Sequence, residues 1–287
     1  LRDTAVRHNI DAMTRWCREH RVFLAPHGKT SMCPQLWKRQ LAPDTSWGMT
    51  VATPYQASVA AAHGVTRILI ANQVVGASNA GILRDLIEGD PELDILCLAD
   101  SVDGVSHLAE GLEGLSRPLG VLVEWGNEGW RTGVRAEAEM AAVLGEISRS
   151  DGRLRFRGFE GYEGLAKSVD AATAFVEGLL GAMGEFSDIL PEDGGRLMFS
   201  IGGTAFLDVV AGLATVVDRD RFDVVIRSGC YVTHDHGVYG RALDGARDRD
   251  AGEDAFPAFV PALELWTYVQ SVPEPGLAIL NFGKRDC

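Results

Sequence analysis

Short apolar runs recur along the chain at intervals that leave room for a helix between them. They are Val22 to Ala25, Trp47 to Val51, Arg67 to Ala71, Ile95 to Ala99, Leu119 to Glu124, Leu154 to Glu160, Leu197 to Ile201 and Val224 to Arg227. Each has strand length, and most are rich in Val, Ile, Leu or Phe. Near-continuous apolar runs are what parallel strands need when both faces of their sheet are covered. Amphipathic stretches lie between them. Asp100-Ser101 caps one that runs toward Leu115, and Thr53-Pro54 starts another, with Pro tolerated in the first turn. Ala136 to Ile147 and Val169 to Phe186 read as two more. Strand and helix alternating eight times predict a (β/α)8 TIM-type barrel of the α/β class over residues 1–255. A doubly wound open sheet is the alternative architecture.

After Val224–Arg227 the pattern changes. Residues Gly240 to Glu253 are polar and rich in Gly, Asp and Arg, and read as a connecting loop. From Ala262 to Ser271 the alternation has period two, with Leu263, Leu265, Thr267 and Val269 against Glu264, Tyr268 and Gln270. Gly276 to Leu280 follows Pro273 and Pro275, which predicts an antiparallel hairpin. A β-rich C-terminal domain is therefore expected to begin at residue 256 and to be truncated at 287. The chain opens in a helical pattern without an initiator Met, so it is expected to be a piece of a longer protein.

Charge narrows the partners. Forty acidic residues against 27 basic ones leave a net charge of −13, which argues against nucleic acid, because phosphate binding needs clustered Lys and Arg. No membrane-length apolar run is present, and no signal peptide is expected from the opening residues. Five cysteines without a CxxC pair suggest free thiols in the cytoplasm.

Barrel enzymes place their chemistry at the C-terminal ends of the strands. The first strand ends in Pro26-His27-Gly28-Lys29-Thr30, where a lysine would point toward the barrel mouth as a nucleophilic amine. A surface lysine in a loop is the plainer reading. Gly28-Lys29-Thr30 is no nucleotide P-loop, because Phe23 stands where the motif requires a glycine. The seventh strand ends in Ser200-Ile201-Gly202-Gly203-Thr204 before a helical stretch from Ala205 to Val217, and the eighth in Arg227-Ser228-Gly229-Cys230-Tyr231. Glycine turns at these two strand ends are where barrels commonly bind phosphate. Arg131, flanked by glycines after the fifth strand, suits an anionic oxygen or a loop salt bridge. Tyr162, ending the sixth strand, is either a site residue or a core aromatic. His234-Asp235-His236 is read as a solvated loop in preference to a metal site, since neighbours on a strand point to opposite faces.

Taken together, these segments resemble the D-threonine aldolase and D-serine dehydratase group, within the alanine-racemase-type (fold type III) pyridoxal-phosphate enzymes. Pro26 to Thr30 resembles the group's lysine segment, and Ile70-Ala71-Asn72-Gln73-Val74-Val75-Gly76 its third-strand segment. Gly126 to Val134 is similar to its arginine segment, Ser200 to Thr204 to its Gly-Gly-Thr loop, and Arg227 to Tyr231 to its Arg-x-Gly-x-Tyr loop. Asn281-Phe282-Gly283-Lys284 resembles the first strands of its β domain.

The resemblance implies pyridoxal 5'-phosphate as cofactor, held by Lys29 as a Schiff base, with Lys29 also shuttling the α-proton as the catalytic residue. It implies a phosphate held by Gly202, Gly203, Thr204, Gly229 and Cys230. Arg131 would face the phenolic oxygen and Tyr162 the pyridine nitrogen, and His27, Gln73 and Tyr231 complete the cofactor-binding set. Some members also bind a divalent metal in a segment beyond Cys287, so no metal ligand is assigned. The expected activity is dehydration and deamination of a D-β-hydroxy amino acid such as D-serine, by a cytoplasmic homodimer that binds neither nucleic acid nor membrane. D-threonine aldol cleavage, racemisation and non-catalytic cofactor binding are the alternatives.

Overall fold

In the computed structural model, residues 1–186, 189, 195–249, 257–283 and 286 are described. Eight parallel strands form one sheet: β1 (Phe23–Leu24), β2 (Met49–Val51), β3 (Arg67–Gln73), β4 (Asp94–Ala99), β5 (Leu119–Trp125), β6 (Leu154–Gly161), β7 (Leu197–Ser200) and β8 (Phe222–Ile226). Their order is β1-β8-β7-β6-β5-β4-β3-β2. The two ends of this order meet through parallel bridges, Leu24 to Ser46 and His27 to Thr50. The amides of Trp47 and Thr50 donate across the same line to the carbonyls of Leu24 and Pro26, at 2.9 and 3.0 Å. The sheet therefore curls into the (β/α)8 barrel that the alternating pattern predicts.

A helix follows every strand. After the leading α1 (Asp3–Glu19) come α2 (Pro34–Gln40), α3 (Pro54–Ala62), α4 (Ala77–Gly89), α5 (Val102–Gly111), α6 (Glu137–Ser148), α7 (Val169–Gly184), α8 (Leu207–Ala214) and α9 (Val238–Arg249). Thr53, Ser101 and Ser168 accept the amides of Gln56, Gly104 and Ala171, each satisfying an orphan donor at a helix start.

Two apolar layers hold the barrel. The outer one packs helices on strands. The inner one comprises Ala25, Trp47, Leu69, Leu96, Leu98, Leu122, Met198 and Val225, with Phe23 and Ala71 against it. Side chains alternate along a strand. Ile68 and Ile70 face the helices while Leu69 faces the barrel axis, and Cys97 and Leu98 repeat this on β4. Continuing the inward register toward the strand ends carries Ala25 to His27, Leu122 to Glu124, Met198 to Ser200 and Val225 to Arg227. The interior is apolar at one level and ionisable at the next.

Two expectations change. The stretch from Gly240 was expected to be a loop; the structure has α9 over Val238–Arg249. Asp235 Oδ1 accepts the amides of Gly237, Tyr239 and Gly240 at 2.8, 3.0 and 3.3 Å, and Leu243 and Ala246 bury one face of the helix. The hairpin forms, as β9 (Val269–Glu274) against β10 (Leu277–Leu280), but the strand starts at Val269 rather than Ala262. The four residues of β10 have no rungs to offer further back, and the last contact is Asn281 donating to the Tyr268 carbonyl at 3.0 Å. The expected domain boundary at 255/256, and Lys284, lie outside the described residues. Among the described residues, no helix is long and apolar enough to cross a membrane.

Candidate active site

A cleft of about 290 Å³ opens at the C-terminal ends of the barrel strands. His27, Lys29, Arg131, Tyr162, Gly202, Gly203, Thr204, Gly229 and Cys230 line it, all from the set expected to bind a cofactor. Gln73 and Tyr231 do not. A β-bulge between Ile70 and Gln73 re-aims the end of β3, and Gln73 Nε2 donates to Glu124 Oε2 at 2.5 Å. Tyr231 is buried beside Phe259 on the far side of its turn.

The two glycine loops meet directly. Ser228 Oγ donates to the Gly203 carbonyl at 2.8 Å, and the Arg227 amide to the Gly202 carbonyl at 3.1 Å. Gly202 sits at φ +94°, a conformation that side chains with a Cβ rarely adopt, so the turn requires glycine there. The amides of Thr204, Gly229 and Cys230 donate to no described residue. Three N–H groups without a partner among the described residues, on adjoining loops at the cleft, are suited to an anion. The Gly203 amide is already taken, by Glu163 Oε1 at 3.1 Å.

Lys29 is exposed and enters the cleft from the 3₁₀ turn Gly28–Thr30. Thr30 Oγ1 lies 3.8 Å from Cys230 Sγ, so the lysine turn touches the eighth-strand loop. Behind it, burial and then the charges of Arg227 and Lys29 push the His27 imidazole down to about 3, which keeps it neutral. Its Nδ1 is buried without a partner. Arg131 Nη2 donates to Asn72 Oδ1 at 3.3 Å. The Arg131 loop is folded back on β5, with the Gly126 amide donating to the Val134 carbonyl at 2.8 Å. Gly133 must lack a side chain, since a Cβ there would lie 2.5 Å from the Gly126 nitrogen.

The floor is a charged network that the motifs did not single out. Arg227 Nη2 reaches Glu160 Oε1 at 2.5 Å and the Gly161 carbonyl at 2.9 Å, while Nη1 donates to Ser200 Oγ at 2.7 Å. Both residues are almost fully buried. Burial pushes the Glu160 carboxyl up to about 8; Arg227 pulls the other way, and Glu124 and Glu163 add to the rise. Glu124 is raised too, chiefly by burial, against hydrogen bonds from Thr132 and Gln73. The sequence carries one signal for this network: Glu124, Glu160 and Arg227 sit in inward register at the ends of apolar strands, where a charge is out of place unless it serves a site. Aromatic walls complete the cleft, with Trp130 stacked on Phe175 at 4.9 Å and Tyr239 contributed by α9. His234 and His236 take no part. No group of three or more His, Cys, Asp or Glu able to hold a metal occurs among the described residues.

Comparison with known proteins points to one enzyme group, although no family model matches the chain. It is 28% identical over 281 residues to a D-threonine aldolase from an Arthrobacter species, covering 96% of this chain and 68% of that one. The crystal structure of D-threonine aldolase from Filomicrobium marinum superposes with a TM-score of 0.79 at 25% identity, covering 99% of this chain and 72% of that one. The D-threo-3-hydroxyaspartate dehydratase of Delftia sp. HT23 shares the fold, with a TM-score of 0.64 at 24% identity, over 82% of this chain and 60% of that one. The chain is thus similar in sequence and in fold to D-threonine aldolases, in line with the resemblance of its segments.

Proposed function

We propose that this chain carries the cofactor site of a pyridoxal-phosphate-dependent lyase that dehydrates D-β-hydroxy amino acids such as D-serine. One observation carries the reading. Lys29 opens into the same cleft as two glycine loops that bond to each other and leave three amides free. A primary amine and an anion cradle facing one cavity suit an aldehyde that bears a phosphate. When bound, pyridoxal phosphate supplies an electron sink that makes the Cα–H of an attached amino acid acidic.

This chain's residues would do the rest. Lys29 Nζ would accept the Cα proton, being the lysine that lines the cleft. Thr204, Gly229 and Cys230 fix the phosphate through their amides. Arg131 serves an anionic oxygen near Asn72. His27, neutral beneath Lys29, adds no charge to repel the amine. Trp130 and Phe175 keep water from the reacting carbon. A base on one face deprotonates only one enantiomer productively. The named substrates of the relatives are D-configured, which supports D over L.

Loss of the β-hydroxyl as water gives an enamine, then a keto acid and ammonia. The two D-threonine aldolase likenesses favour a second reading, in which the Cα–Cβ bond breaks to release glycine and an aldehyde. The test has two parts. Protein supplied with pyridoxal phosphate should gain a visible band that borohydride bleaches, and Lys29→Ala should lose the fixable adduct. Both enantiomers of serine, threonine and alanine are then assayed, with keto acid, aldehyde and racemised product measured separately. Keto acid from D-serine alone supports dehydration, and aldehyde from D-threonine alone supports cleavage. Equal turnover of enantiomers, or racemised alanine as the main product, overturns both readings.

A further inference from the structure

The anion cradle contains a feature at odds with its purpose. Glu163, in the turn after β6, is fully buried and holds the Gly203 amide through Oε1 at 3.1 Å. Its Oε2 has no hydrogen-bond partner. The ring of Tyr162 closes over the same turn, such that a Cβ on Gly203 would lie 3.2 Å from its Cε2. A carboxylate is thus lodged in a loop otherwise shaped to receive a phosphate.

We propose that Glu163 is a positioning residue for that loop, which holds the Gly203 amide in the free protein and takes up one proton when a phosphate enters. The proposal rests on the cofactor reading above. Its logic is electrostatic. A dianionic phosphate bound to the neighbouring amides of Thr204, Gly229 and Cys230 would stand beside a buried carboxylate, and like charges at such range cannot both stay ionised cheaply. Neutralising Glu163 removes the repulsion and turns Oε2 into a donor. The charged groups around Glu163 do not cancel this. Arg227 favours its carboxylate but is engaged by Glu160, and Glu160 itself opposes a second negative charge. Tyr162 beside it is held in its neutral phenol form by burial and by Glu163. Lys167 and Asp170, on the way into α7, are exposed to solvent. Burial already raises the Glu163 carboxyl, in the direction the proposal needs.

Pyridoxine 5'-phosphate is the probe, because it keeps the phosphate and lacks the aldehyde, so Lys29 chemistry stays out. Titration calorimetry at pH 8, in buffers of different ionisation enthalpy, counts protons where the phosphate is already dianionic, since its second pKa is about 6. Comparing wild type with Glu163→Gln cancels the ionisations of the ligand and of every other residue. Wild type should take up about one proton more than the variant, and its Kd relative to the variant's should weaken by up to about tenfold per pH unit. Infrared difference spectra of wild type should show a carboxylate lost and a protonated carboxyl gained on binding. Should Glu163→Gln not fold, Glu163→Ala, which likewise has no carboxyl to titrate, takes its place in both measurements. Equal proton counts with parallel pH profiles, or no new protonated carboxyl, would overturn the proposal while leaving the cofactor reading intact. Failure of the probe to bind at any pH would remove both.

Discussion

Replacing Arg227 by Met tests the buried floor of the cleft, and the structure sets the size and pH dependence of the effect. The guanidinium is 3% exposed and reaches three acceptors: Glu160 Oε1, the Gly161 carbonyl and Ser200 Oγ. Ser200 Oγ keeps a second partner, the Val225 carbonyl at 3.2 Å, so it loses least. Glu160 loses most. Breaking a buried pair from one side costs roughly 3–5 kcal/mol when a charge is stranded. Glu160 can escape that by taking a proton, and burial already holds its carboxyl up at about 8 with Arg227 in place. Removing Arg227 raises it further. Below pH 8 both proteins carry a protonated Glu160, and the cost reduces to lost hydrogen bonds, about 2–3 kcal/mol. Above pH 8 wild type can release that proton and the variant cannot, so each further pH unit adds about 1.4 kcal/mol to the difference. Urea unfolding at pH 6 and pH 9 should therefore show the larger loss at pH 9, and Arg227→Met with Glu160→Met should recover much of it. A loss below about 1 kcal/mol, or one independent of pH, would refute the reasoning.

Glu160→Gln alone should remove a slope. A carboxyl raised above its ordinary value contributes stability that is fully present below about 4.5 and is lost as pH rises through about 8, so the variant should unfold with a flatter pH profile over that window. Gly202→Ala forces a Cβ into a left-handed conformation and should cost about 1–2 kcal/mol in thermal unfolding, with weaker pyridoxal-phosphate binding by calorimetry. Asp235→Ala strips three amides at the start of α9 and should cost about 1–2 kcal/mol, with Asp235→Asn retaining most of it, as read by urea midpoints.

The barrel was legible because its signal is local. Parallel strands covered on both faces must be apolar throughout, so runs such as Ile68 to Ile70 and Ile95 to Ala99 announce themselves without knowledge of partners. The cleft's rim was legible for a related reason: glycines and a lysine cluster at strand ends, where the fold puts its loops. Its floor was not. Glu160 and Arg227 meet across 67 positions of sequence, and nothing near either one names the other. The same holds for Glu163 and Gly203. Tyr231 was drawn into the site by the Arg-x-Gly-x-Tyr segment, yet the 3₁₀ turn Cys230–Val232 rotates its ring into the core. The helix α9 was read as a loop because its residues are polar and rich in Gly, Asp and Arg, and its cap, Asp235, lies in a segment that reads as solvated. The hairpin's register depended on the length of β10, a property of the partner strand rather than of Leu263 to Thr267.

The barrel has one seam. Most neighbouring strands share ladders of three rungs or more, but β1 is two residues long and β2 three, and these two join through isolated bridges and a few hydrogen bonds in place of a ladder. Stability is uneven across a fold, and segments with few rungs open first. Lys29 is mounted two residues past the bridge from His27 to Thr50, on the stave with the fewest ties. Loosening of this seam would therefore be felt first at the turn that carries the lysine. A rigid barrel would hold its amine in one place. This one mounts it beside the seam, with the seven rungs between β5 and β6 on the opposite side.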